Sequence, residues 1–200
     1  IRDIALIVAT ENEAQDIYYD IKTIFNDSKK ESSPAVYIMP WWGTVPYRPV
    51  APGSIVFGQR IGVLAKIADP SQKNLADISK IQTRIFIIPQ RSLLIPVPPK
   101  DSILSLCLDL QLEQKIDPLN IAEHFIRSGY TRVPRVSVKG EIAIRGEVLD
   151  IFMPQEDYAH RIVFDFDTIT KIKSFDVESQ ATIADLDALL LYPMKEVLWD

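Results

Sequence analysis

The sequence predicts a mixed α/β chain in two parts: a parallel βαβαβ unit, then an α+β unit with a largely antiparallel sheet. Three observations carry that reading. Short apolar runs alternate with amphipathic helical periods over residues 1 to about 96; Pro96, Pro98 and Pro99 interrupt the chain; and strand-like segments dominate beyond Gly129. The expected division is 1–98 for the first domain, 99–191 for the second, and 192–200 for a segment returning toward a following domain.

Ile4 to Ala9 is a short β-rich run and reads as a buried parallel strand. Thr10 and Glu13 then form a T-x-x-E capping box. Ala14, Ile17, Tyr18, Ile21, Ile24 and Phe25 follow on one face of a helix of period 3.6. Ala35 to Met39 is a second strand, leading into the loop Pro40-Trp-Trp-Gly-Thr-Val-Pro-Tyr47, whose prolines and glycine forbid regular structure. The next helix carries Val56, Phe57, Ile61, Leu64 and Ile67 and stops at Pro70. A polar stretch, Ser71 to Lys80, precedes a third buried strand at Ile85 to Pro89. Past the prolines come an apolar strand at Ile103 to Leu110 and a helix N-capped by Asp117, with Pro118 at its first position and Gly129 at its end. Strands are then expected at Arg135 to Ile144, Val148 to Phe152, Arg161 to Phe166 and Ile169 to Phe175.

Composition narrows the function. The apolar content of 47% is that of packed globular protein, and no apolar run approaches the roughly 20 residues of a membrane span. A net charge of −5 and a pI near 5.1 weigh against nucleic-acid binding, which needs clustered Lys and Arg. Lys29-Lys30 beside Glu31 reads as a solvated loop. Cys107, alone in an apolar run, reads as a buried structural thiol in a reducing, cytoplasmic compartment. The chain opens at Ile1 and closes at Asp200 without a tail, so it is expected to be a piece of a longer protein.

Residues 53–58 carry the two glycines of a phosphate loop, but Gln59 and Arg60 stand where Lys and Ser or Thr would be needed. His124 and His160 lie far apart without partners at ligand spacing, and the pairs Asp165/Asp167 and Asp185/Asp187 read as solvated edges. No catalytic, cofactor-binding or metal-binding residues are therefore expected. In Gly140-Glu-Ile-Ala-Ile-Arg-Gly-Glu-Val-Leu-Asp-Ile-Phe152, alternation sets Ile142 and Ile144 against Glu141, Ala143 and Arg145, and Gly146 permits a bulge. On the following strand Ile162, Phe164 and Phe166 oppose Arg161, Val163 and Asp165. If the two strands are neighbours, Arg145 and Arg161 share one solvated surface. Pattern alone reads them as ordinary solvent-facing arginines paired to nearby carboxylates.

Three blocks alter that balance: Trp42-Gly-Thr-Val-Pro-Tyr47 with Ala51-Pro52 and Arg60; Gly140 through Pro154; and Arg161 to Phe166 followed by Ile172 to Asp176. Together they resemble the N-terminal, excinuclease-B-like (UvrB-like) module of the bacterial transcription-repair coupling factors, over nearly the whole chain. Gly43 and Arg48 depart from that family's usual Glu and Asp in the first block.

The resemblance implies an incomplete, degenerate helicase-like α/β domain interrupted by an inserted domain that docks on the excinuclease protein UvrA. It implies that RNA polymerase, duplex DNA, ATP and Mg belong to other parts of a parent translocase. Docking carries over to Arg145 and Arg161. The family tends to place an aromatic four positions after the second arginine, where this chain has Asp165 between Phe164 and Phe166; alternation predicts that both phenylalanines point inward. Arg145→Glu with Arg161→Glu is expected to abolish docking with little loss of thermal stability. Two alternatives remain at this point, a fragment of the excinuclease protein UvrB, an ATP-dependent damage-verifying enzyme, and an unrelated small α/β enzyme domain.

Overall fold

The computed structural model describes residues 3–26, 34–43, 54–68 and 83–195. The chain forms two compact units, Ile1–Pro52 with Val63–Val97 and Gly53–Gly62 with Pro98–Asp200.

In the first unit, β1 (Asp3–Val8), α1 (Glu11–Asn26), β2 (Ala35–Ile38), the second half of α2 (Ser54–Ala68) and β3 (Arg84–Pro89) follow in βαβαβ order. The sheet is parallel, with strand order β1-β3-β2. The α1 cap forms as the sequence predicts: Glu13 N–H donates to Thr10 Oγ1 at 3.1 Å, and Glu13 Oε2 accepts from Ala9 N–H at 2.8 Å. Ala14, Ile17, Tyr18 and Ile21 pack on Val8, Val36 and Ile87, while Ile24 and Phe25 are exposed. The strand predicted to be buried, β1, lies at an edge, with Ile4 and Ile7 exposed. The central position goes to β3, whose Arg84 is buried and paired in two bonds with Asp3 (2.8 and 2.6 Å) while also donating to Lys66 C=O. Arg91 lies over the Trp41 ring; Thr44 to Pro52 and the stretch 69–82 are outside the described residues.

The second unit begins with a difference. Where an apolar strand is predicted at 103–110, the chain forms α3 (Lys100–Ser105) and only then β4 (Leu108–Gln111). A short apolar run has no period of its own, and the turn starting at Pro99, with Asp101 in its first turn, decides for helix. The next helix, α4 (Pro118–Arg127), keeps both predicted ends. Asp117 accepts from Leu119 N–H at 2.8 Å, and Gly129 at φ +104 permits a Schellman closure, Tyr130 N–H to Phe125 C=O and Gly129 N–H to Ile126 C=O.

A six-stranded, largely antiparallel sheet follows: β5 (Thr131–Arg132), β6 (Glu141–Arg145), β7 (Val148–Ile151), β8 (Ala159–Asp165), β9 (Thr168–Phe175) and β10 (Thr182–Leu186), in the order β10-β9-β8-β7-β6-β5. Only β5 and β6 run parallel. The long strand predicted from Arg135 is instead a loop to Gly140. Glu141 holds it by accepting from Ser137 N–H, Val138 N–H and the Ser137 hydroxyl. Finally β11 (Ala188–Leu191) pairs with β4.

One face of the sheet meets α4 through β6 and β7. This side buries Ile142, Leu149, Ile151, Ile162, Phe164, Ile169 and Ile172. The opposite side has its own small core of Val136, Ala143, Phe152, Ala159 and Phe175, edged by Val133 and Val177.

Candidate docking face

Cross-strand register builds the site. Ala143, Asp150, Arg161, Lys173 and Asp185 are successive partners across β6, β7, β8, β9 and β10. They therefore lie on one face, that of the small core. Arg145, two residues on from Ala143, is on the same face. The two arginines do share a surface, but β6 and β8 are not neighbours, because β7 lies between them.

What β7 contributes is Asp150. Its side chain is 2% exposed, and it takes Arg161 in two bonds, Nε to Oδ1 at 2.7 Å and Nη2 to Oδ2 at 2.9 Å. Arg145 Nη2 donates to the same Oδ2 at 2.9 Å. One buried carboxylate thus joins two guanidinium groups, leaving the cluster one net positive charge. Arg161 is held further by Gln180 Oε1 at 3.1 Å and by the Phe175 ring, 4.4 Å from its guanidinium carbon. The Asp150 hydrogen bonds raise its pKa above the ordinary arginine value and outweigh burial. Arg161 is 26% exposed and Arg145 49%.

This corrects two expectations. Gly146 (φ +59) does not make a bulge; with Glu147 it forms the tight turn between β6 and β7, where the left-handed backbone suits glycine. The double reversal at Arg145 and Arg161 would not spare stability, since a glutamate at 161 would sit against buried Asp150.

The phenylalanines divide. Phe164 is buried on the α4 side and has no exposed surface to offer a partner. Phe166 does not point inward: β8 ends at Asp165, and Phe166 and Asp167 make the turn into β9, with Phe166 at φ +55 and 83% exposed. A strand's alternation lapses at its turn. This turn and the Gly146–Glu147 turn lie at the same end of the sheet, joined by Phe164 N–H to Glu147 C=O at 2.8 Å. Asp165 is exposed beside the turn.

Asp150 is the residue that sequence reasoning missed. A signal was present, because an acid inside Val148-Leu-Asp-Ile-Phe152, on an interior strand, demands a cationic partner.

The phosphate-loop resemblance has a packing explanation at the end that is described. Gly58 lies within α2, where a Cβ would fall 2.6 Å from Pro154 Cγ and 2.8 Å from Met194 Sδ; one on Gly62 would meet the Tyr192 ring at 2.7 Å. These glycines let the helix approach its neighbours closely. Gly53 lies outside the described residues. Among the described residues no cluster of three or more His, Cys, Asp or Glu side chains could hold a metal, and no helix is long and apolar enough to cross a membrane. Cys107 is half-buried and donates to Ile103 C=O.

The paired arginines, their buried aspartate and the sheet that carries them fall within residues 108–197, which match the family described as the UvrB interaction domain. The chain thus carries the likeness of an excinuclease-B-type interaction domain on a mixed α/β fold. Along nearly its whole length it is similar to transcription-repair-coupling factors. It is 30% identical over 196 residues to that of Mycobacterium tuberculosis, with 96% of this chain and 15% of the relative covered. To those of Rickettsia bellii and Borreliella burgdorferi it is 25% identical over 197 residues and 27% over 198, covering 98% of this chain and 16% of each relative. The chain spans about 15% of the length of the curated relatives it matches.

Proposed function

We propose that this chain is the docking module of a transcription-coupled DNA repair factor, and that it recruits the excinuclease protein UvrA to stalled RNA polymerase. The partner meets the end of the six-stranded sheet where Arg145 and Phe166 are presented. The likeness to coupling factors and the match to the interaction domain support the repair role. The observation that carries the site is Phe166. A bulky aromatic in left-handed backbone costs on the order of 1–2 kcal/mol, and leaving it 83% exposed gives up its burial as well. Folding gains nothing from that arrangement, whereas a partner with an apolar pocket does.

The chain itself uses neither ATP nor Mg, and it is not a catalyst. ATP hydrolysis, translocation on duplex DNA and polymerase contact belong to other regions of the parent protein, and the first unit is the degenerate remnant of a helicase-like domain. Competition tests the reading. Labelled chain bound to purified UvrA should be displaced by UvrB, which carries the same type of domain. A ternary complex with all three proteins present would overturn the shared docking site.

A further inference from the structure

The two arginines of the docking face are not equivalent, and the difference lies beneath them. Arg161 directs Nε and Nη2 into Asp150, adds Gln180 with the same Nη2, and sets its guanidinium carbon over the Phe175 ring, 4.4 Å from the centroid. Two of its three nitrogens are already engaged, and an aromatic ring packs against the group. Arg145 gives Asp150 a single bond from Nη2 and is almost twice as exposed. Among the described residues, its Nε and Nη1 make no hydrogen bond within the sheet. It also sits beside the Gly146–Glu147 turn, at the end of the sheet that presents Phe166. Asp150, at 2% exposure, is too deep for any partner to touch.

The geometry points to Asp150 as the positioning residue of this face: it fixes Arg161 as a rigid wall and aims Arg145 at a carboxylate on UvrA. The inference rests on the docking reading above and sharpens it by assigning the contact to one arginine. A guanidinium tethered at one nitrogen has lost much of its rotamer freedom before the partner arrives, so less entropy is lost on binding. One Arg145 Nη2 hydrogen goes to Asp150; the second Nη2 hydrogen, with the neighbouring Nη1–H or Nε–H, offers a carboxylate two parallel bonds. Bound to one anion below and another above, Arg145 would bridge the two proteins. Arg161, turned into its own sheet, sets the shape and charge of the surface without meeting the partner's acid.

The test compares affinities of the 200-residue chain for purified UvrA. Arg145→Lys removes the fork and keeps the charge, and is expected to raise Kd by roughly 10-fold or more while lowering the melting temperature less than Arg161→Lys does. Arg161→Lys breaks the bidentate pair and is expected to lower the melting temperature while moving Kd by less than about 3-fold. In Asp150→Asn, Kd rises although the residue cannot touch the partner. NMR of the arginine Nε–Hε groups in the unbound chain provides a readout that general destabilisation would not single out. The Arg145 order parameter falls in Asp150→Asn while backbone order parameters of β6 hold.

Should Asp150→Asn not fold, the two lysine variants decide alone. Wild-type binding weakened equally by Arg145→Lys and Arg161→Lys overturns the division between the arginines while leaving docking intact. An Arg145 Nε–Hε group as mobile in the wild type as in Asp150→Asn overturns the role of Asp150. A wild-type chain that does not bind UvrA overturns the docking reading and, with it, the aim assigned to Arg145.

Discussion

In the variant Asp150→Asn an amide of nearly the same shape replaces the carboxylate beneath the proposed docking face. Its one oxygen can face the two Nη2 groups, which leaves its NH₂ against Arg161 Nε, where a 2.7 Å bond was made. At least one charge-assisted bond is lost, donor faces donor, and two guanidinium groups lose the anion that neutralised one of them. A wholly buried pair broken this way costs about 3–5 kcal/mol. Here the arginines, 26% and 49% exposed, can turn partly to water, so the smaller figure of about 2–3 kcal/mol is expected. At a urea m-value of about 1–3 kcal/mol/M, the unfolding midpoint of the second unit should fall by roughly 1 M. Urea titration followed by far-UV circular dichroism reads this directly. A midpoint within about 0.2 M of the wild type would show that Asp150 does not organise the face.

Gly62→Ala would press a Cβ against the Tyr192 ring and should cost about 1–3 kcal/mol by chemical denaturation, whereas an ordinary exposed helical Gly→Ala would stabilise. Tyr130→Phe removes the hydroxyl that donates to Tyr192 C=O at 2.8 Å inside the second unit, for a loss of about 0.5–1.5 kcal/mol in the same assay. Burial holds the Tyr130 hydroxyl well above its ordinary pKa, with nearby Glu156 and Cys107 adding to the rise. The neutral form is therefore the one the fold favours, and that contribution is lost as pH rises beyond the unfolded value of about 10. Glu141 runs the other way. Burial raises its pKa, but the Val138 and Ser137 hydrogen bonds outweigh it and the net shift is downward. Its contribution is present above the unfolded value of about 4.3 and is lost as pH falls through the folded one, so Glu141→Gln should flatten the acid limb of a stability-versus-pH profile.

How much of this is legible in the sequence depends on the kind of signal. Punctuation reads well: the Thr10/Glu13 box, the Asp117-Pro118 start and the Gly129 stop are local hydrogen-bond devices that need no tertiary partner. The parallel and antiparallel sheets also follow from the order of elements. Residues 103–110 do not read well, because a short apolar-rich run satisfies a helix turn or a strand equally and Pro99 makes the choice. Strand exposure is illegible too. Ile4 and Ile7 look like core until the order β1-β3-β2 puts them at an edge.

On the face proposed for docking, alternation places Arg145 and Arg161 on one side correctly and then fails at Phe166, where the strand gives way to a turn. Asp150 escapes because an acid amid apolar residues reads as a break in pattern when it is the partner that both arginines require. β10, Thr-Ile-Ala-Asp-Leu, lacks strict alternation, and β11, Ala-Leu-Leu-Leu, is built of residues that favour helix, so neither strand shows in the sequence.

The docking claim is tested most directly at Phe166. Asparagine tolerates left-handed backbone better than phenylalanine does, so Phe166→Asn should leave stability unchanged or raise it by up to about 1 kcal/mol. Calorimetric titration against purified UvrA should, for the same variant, show Kd raised by about 10-fold or more, as expected of an aromatic anchor removed from an interface. A variant more stable than its parent yet weaker in binding has lost a contact and kept its fold. Equal affinity of Phe166→Asn and the wild type would contradict the account.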